Sequence, residues 1–285
     1  MAAALAHDHR EDLIVGRRFW KMSGSGNDFV VFDVRGEEAG VPAEERPEVI
    51  QSLCARGTGV GADGVVFVAR AATPGALLAM RYYNADGSRA FCGNATLCVT
   101  RLARELDVGH TRGLLLETDN GLVPAREGER GPEIDLPSVS DVSERVSELA
   151  TAPGERRIGF ALVGVPHLVV RCDDVAEVRV HDRGGELRRS GYRADGANVN
   201  FVSERNGGWS IRTYERGVER ETLACGSGAI ASAILLNRWS EAAERTSFRT
   251  RSGRTLTVRL GREGGSWRPT LAGEGRIVFT GELAE

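Results

Sequence analysis

The 285-residue sequence predicts an α/β protein built from two similar halves. Three observations carry that expectation. Short runs rich in Val, Phe and Tyr alternate along the chain with segments of helical period. The segments YNADGSRAFCGNATLCVTRLAR (83–104) and YERGVERETLACGSGAIASAILL (214–236) share one layout: a tyrosine and a polar turn, a lone cysteine, Gly-Asn or Gly-Ser, then a helix. The length, finally, suits two domains of ordinary size better than one large core.

Composition narrows the class. Hydrophobic residues make up 41% and charged residues 27%, with a net charge of -3. No apolar run approaches the roughly 20 residues of a membrane span, so no membrane insertion is expected. Lys and Arg are interleaved with acids, which gives no footprint for nucleic acid. The first dozen residues, MAAALAHDHRED, read as a frayed leader and not as a secretion signal. Cys54, Cys92, Cys98, Cys172 and Cys225 are odd in number and irregular in spacing, which argues against a disulfide scaffold and for a reducing cytoplasm.

In chain order, FWKMSGSGNDFVVFD reads as strand, glycine-rich turn and strand, with Asn27 in the turn. Pro47 to Arg56 fits a short helix with proline at its start and Gly57 behind it. GTGVGADG feeds a strand at 65–69; loop-then-strand is the wrong order for a phosphate loop. Strand 77–83 follows, then a turn at Asn84 to Ser88 and a helix from Asn94 to Leu106. Strand-like pieces run from 114 to 136, broken by the turn signal Asp119-Asn120-Gly121, and 128–131 is the expected crossing into a second domain. Residues 141–157 read as loop, with room for a short helix. IGFALVGVPHLVVRC gives two strands joined through Gly164 to His167, where His167 sits in the turn and positions rather than transfers protons. Residues 175–187 read as helix or turn, interrupted by Gly184-Gly185. GANVNFVSERNGGWSIRTYERG is a hairpin about Asn206-Gly207, with Asn198 and Asn200 on one strand face and Arg212, Tyr214 and Arg216 on one face of the return. Three further strand-like runs close the chain, and the last is expected to pair back into the first domain.

The two cysteine segments carry the chemistry. The first N–H groups of a helix lack partners within it, and the local dipole favours an anion and a more acidic thiol. Inverting a carbon stereocentre needs a base on one face and an acid on the other; a thiolate and a thiol can exchange those roles. The N–H groups of Gly93, Asn94, Gly226 and Ser227 can receive a carboxylate that gains enolate-like charge. Cys98 lies among Leu97, Val99 and Leu102 and reads as a core thiol. A zinc site using Cys92 and Cys98 lacks further ligands, so no metal is expected.

Together, SGSGNDFVVFD, GVGADGV, YYNADGSRAFCGN, GVPH, NVNFV and YERGVERETLACGSG resemble the ordered motif series of the diaminopimelate epimerase family. The resemblance implies two similar α/β domains, each a curved sheet around a central helix, with the active site in the interdomain cleft. The domains would span 13–127, joined by a strand at 274–285, and 128–273. It implies epimerisation of LL-2,6-diaminopimelate to the meso form with no cofactor, neither pyridoxal phosphate nor metal, in a cytoplasmic homodimer of lysine biosynthesis. Cys92 and Cys225 match the acid/base pair. Asn27, Asn84, Asn198 and Arg216 match substrate-holding residues, and His167 and Glu215 match polar residues near the amino groups.

The sequence departs from the family's commonest pattern at Ser23, Gly64 and Val165 and in CGNATLC. Gly64 and Val165 remove polar side chains near the ligand. A related racemase of another amino acid is the rival reading, with a redox disulfide, a thiol hydrolase or a non-catalytic amino-acid-binding protein as readings of other classes.

Overall fold

The computed structural model describes residues 16–37, 45–108 and 113–284. The leader reading falls outside them. The chain divides into two compact units, one ending at Val123 and regaining the chain from Gly275 onward, the other running from Pro124 to Glu274.

The first unit opens with β1 (Arg18–Gly24) and β2 (Asn27–Asp33), an antiparallel hairpin turned by Ser25 and Gly26, both at positive φ. Helix α1 (Pro47–Cys54) crosses to β3 (Gly64–Ala69), which lies parallel to β2. Then come β4 (Leu78–Asn84), antiparallel to β3, the short β5 (Arg89–Ala90), α2 (Gly93–Glu105) and β6 (Leu114–Thr118), parallel to β4. Every residue of β3 is buried, as its unbroken apolar run VVFVA requires of a strand covered on both faces.

The chain leaves along β7 (Gly121–Gly128), whose hairpin with β8 (Gly131–Asp135) lies in the second unit. After β9 (Val142–Ser143), the second unit repeats the first. Strands β10 (Glu155–Val163) and β11 (Val165–Cys172) form the hairpin. Helix α3 (Val180–Arg188) crosses to the parallel β12 (Asn198–Arg205), which pairs antiparallel with β13 (Gly208–Glu215). The short β14 (Arg220–Thr222) precedes α4 (Gly226–Arg238), and β15 (Arg245–Arg249) returns parallel to β13. Strands β16 (Thr255–Glu263) and β17 (Ser266–Ala272) then carry the ladder round to β8. Helix α4 packs on β10, β11 and β12 and also on β16 and β17, so the sheet curls around it. Its alanine- and isoleucine-rich sequence, apolar on almost every side, is what a helix enclosed in that way needs.

Strand β18 (Arg276–Glu282) pairs antiparallel with β1, and α2 packs on β1, β4 and β18. No helix among the described residues is long and apolar enough to cross a membrane.

Three sequence expectations change. Residues 141–157 hold a two-residue strand and the start of β10, with no helix. Gly184 and Gly185 do not interrupt α3: a Cβ on Gly184 would lie 2.5 Å from the Cβ of Tyr214, so glycine there is what lets the helix lie against β13. His167 stands within β11 and not in the turn, which is made by Gly164 at φ +69.

Candidate active site

Cys92 and Cys225 each cap a 13-residue helix from its N-terminal side. Their backbones are almost superimposable, with φ/ψ of -136/114 and -136/111. Each carbonyl already accepts the first helical bond, from Thr96 at 2.9 Å and from Ala229 at 3.0 Å. The extended conformation of a capping residue turns its side chain off the helix axis beside the unpartnered first N–H groups. Cys92 is half-buried, and Cys225 is buried with its Sγ 3.6 Å from the Ser227 hydroxyl. Cys54 and Cys172 differ: burial, ahead of smaller charge effects, pushes both thiols up to about 12. They pack in the two cores as inert apolar groups.

In the first unit a directed polar chain runs to the Cys92 turn. The Asp63 carboxylate accepts from Arg56 at 2.9 Å, so it is an acceptor, and the Asn27 amide nitrogen donates to it at 3.1 Å. That orientation leaves the Asn27 oxygen to accept from the Asn94 amide nitrogen at 2.7 Å. The Asn94 oxygen, at the end of the chain, is buried with no hydrogen-bond partner among the described residues. Asn84 ends β4 opposite Gly64 and donates to the Ser88 hydroxyl at 3.0 Å. Gly64 has no room for a side chain: a Cβ would stand 2.5 Å from both the Tyr82 ring and the Tyr83 carbonyl.

The second unit places its polar residues at the corresponding strand ends. Asn198 begins β12, as Gly64 begins β3, and its oxygen accepts from the Arg216 backbone N–H at 2.8 Å. Glu215 ends β13, as Asn84 ends β4, and accepts from the Thr222 hydroxyl at 2.6 Å. Arg212 is taken up by Glu221 and by the carbonyls of Val175 and Val178. Arg216, just past the strand, has no carboxylate partner among the described residues. A half-buried guanidinium at a strand end, with no carboxylate partner among the described residues, is able to take a carboxylate. His167 is fully buried; burial first, then the Arg216 charge, pushes its pKa down to about 3.

Within each unit, then, the predicted residues gather at one end of the sheet around a cysteine-capped helix: Asn27 and Asn94 in the first, with Asn84 at the end of β4, and His167, Asn198, Glu215, Arg216 and Ser227 in the second. The sequence reading missed Asp63, Asn200, Thr213 and Gly228. Asn200 left one signal, its alternation with Asn198 in NVN; Asp63 and Gly228 look like turn and helix residues until their neighbours are known.

The sequence matches the family model described as Diaminopimelate epimerase over residues 19–137 and 159–271. A diaminopimelate epimerase of Gemmatimonas aurantiaca is 46% identical over 279 residues, covering 93% of this chain and 99% of that protein. One from Aquifex aeolicus is 37% identical, covering 94% and 98%. Among solved structures, a hydroxyproline epimerase from Agrobacterium vitis superposes with a TM-score of 0.71 at 18% identity, covering 94% of this chain and 92% of that one. A PhzF-family phenazine biosynthesis protein of Bacillus anthracis gives a TM-score of 0.71 at 14% identity, covering 94% and 99%. Likeness at that identity speaks for the fold alone.

Proposed function

Starting from the premise that this chain belongs to the diaminopimelate epimerase family, we propose that it converts LL-2,6-diaminopimelate to the meso form with Cys92 and Cys225 as its acid/base pair. The observation that carries the assignment is the recurrence of one backbone conformation at both cysteines, each capping the equivalent helix of a repeated topology. A single activated thiol would not call for such a repeat; a reaction run from two sides does.

In the forward direction one cysteine, as thiolate, takes the Cα proton, and the other, as thiol, returns its own proton to the opposite face. The roles are then exchanged for the reverse reaction. No bond forms between sulfur and carbon. The barrier lies in the weak acidity of the Cα–H. Helix N–H groups at Gly93, Asn94, Gly226 and Ser227 lower it by receiving charge on the substrate carboxylate; an oxyanion donor of this kind is worth on the order of 3 kcal/mol. Arg216, supported by Asn198, suits the carboxylate of the distal amino-acid head, with Asn27, Asn84 and Glu215 as further contacts. That second anchor selects which Cα meets the thiols. The chemistry asks for no pyridoxal phosphate.

The same reading makes the protein a cytoplasmic homodimer. Five cysteines, odd in number and irregular in spacing, support reducing surroundings, since a thiol pair that must work in turn fails when oxidised. The test is proton NMR in D2O of the reduced protein with LL-diaminopimelate. Exchange of the Cα–H together with meso product is expected; a folded protein giving neither refutes the substrate, and a panel of other amino acids then tests the wider racemase reading.

A further inference from the structure

We propose that Asn200 is a positioning residue that locks His167 as a neutral ring protonated on Nε2, available as a hydrogen-bond donor to an oxygen of the substrate. The inference rests on the epimerase reading for its substrate, but on the hydrogen bonds of the second unit for its chemistry.

The orientation of the Asn200 amide is settled by a neighbour that can only accept. Its nitrogen lies 3.0 Å from the Leu168 carbonyl, which can only accept. Its oxygen accepts from the Thr213 hydroxyl at 3.0 Å. The same nitrogen lies 3.1 Å from His167 Nδ1, so that ring nitrogen must be the acceptor and bear no hydrogen. A neutral imidazole then carries its proton on Nε2. A charged one, with hydrogens on both nitrogens, would set two donors against each other.

His167 and Asn200 are both completely buried, so neither can exchange these partners for solvent water. His167 Nε2 has no hydrogen-bond partner among the described residues. A buried donor left unpaired is costly, and a substrate acceptor would relieve that cost. An Nε2–H facing a substrate ammonium would place donor against donor. The tautomer therefore assigns His167 to a substrate oxygen and rules out its service as a proton acceptor for an amino group. Asn200 also reaches the Cys225 turn: a Cβ on Gly228 would stand 2.1 Å from its amide oxygen. One side chain thus sets the histidine tautomer and seats the first turn of α4.

Long-range proton–nitrogen correlation spectra of the full chain decide the tautomer, with the His167 signals identified by their loss in His167→Gln. Protonated Nε2 and bare Nδ1 at neutral pH are expected; an Nδ1–H tautomer or an imidazolium in the wild-type protein overturns the proposal, with no variant required. In Asn200→Asp the amide donor becomes an acceptor of the same shape. The folded variant is expected to invert the tautomer and to lose roughly tenfold or more in kcat/KM for Cα–H exchange. Retention of Nε2–H, or undiminished exchange, in the folded variant refutes the lock. Should the wild-type protein show the Nε2–H tautomer and yet no exchange on diaminopimelate, the substrate reading falls and the lock stands.

Discussion

Substitution of Gly228 by alanine should reverse its sign according to what occupies position 200. Alanine inside a helix is normally worth up to about 1 kcal/mol over glycine. Here its Cβ would sit 2.1 Å from the Asn200 amide oxygen, far inside contact distance, and 3.3 Å from the Cys225 Cβ. The amide must move, and its bonds to Thr213, Leu168 and His167 go with it. At about 1 kcal/mol each, their loss outweighs the helical gain and leaves Gly228→Ala destabilised by ~2 kcal/mol. In an Asn200→Ala background the obstacle is gone, and the same substitution should be neutral or stabilising by up to about 1 kcal/mol. Urea unfolding followed by tryptophan fluorescence suits the measurement, because Trp209, Trp239 and Trp267 all belong to the second unit. Equal destabilisation in both backgrounds, or none in the wild type, would refute the reasoning.

Cys92→Ala and Cys225→Ala should each nearly abolish isotope exchange at the substrate Cα while leaving the circular dichroism spectrum unchanged; near-normal kcat in either purified variant contradicts the thiol pair. Iodoacetamide applied to the native protein at neutral pH should label Cys92 first and spare Cys54 and Cys172, whose buried thiols titrate only near 12, as peptide mass mapping would reveal. Acid should weaken the first unit through Asp28. Burial works to raise its pKa, but hydrogen bonds from Arg56 and Lys21 outweigh it and hold the carboxyl below its ordinary value. Because the folded pKa is depressed, this stability is present above the unfolded carboxylate pKa and is lost as pH falls through the folded one. Asp28→Asn, which leaves the buried Lys21 ammonium without the carboxylate 2.7 Å away, should cost ~2 kcal/mol at neutral pH and flatten that acid limb, read from amide hydrogen exchange in the first unit.

Patterns in the sequence reached most of the elements, because hydrophobic period and turn chemistry are local. The hairpin about Asn206 and Gly207 follows from two residues suited to positive φ, and the helices after Cys92 and Cys225 from glycine followed by a long apolar stripe. The resemblance to one family supplied the roles of Asn27, Asn84, Asn198 and Arg216, which no spacing rule yields. What stayed hidden depends on pairs distant in sequence. Gly64 reads as the loss of a polar contact, whereas the Tyr82 ring and the Tyr83 carbonyl leave only a hydrogen's worth of space there. Gly184 reads as a break in a helix because nothing local announces Tyr214 beneath it. Asn200 reads as a strand residue, and its importance appears only when β11, β13 and α4 are assembled around it.

Strand β18 bears on the order in which the protein can be made. It lies beside β1 and under α2, the helix that Cys92 caps, yet it is the last of the described strands to be synthesised. The unit that begins first must therefore wait, with one edge of its sheet open, until the unit encoded after it has been completed. A ribosome releasing this chain would offer a finished Cys225 half before a finished Cys92 half. Truncation just before Arg276 would accordingly damage the half encoded at the opposite end of the chain.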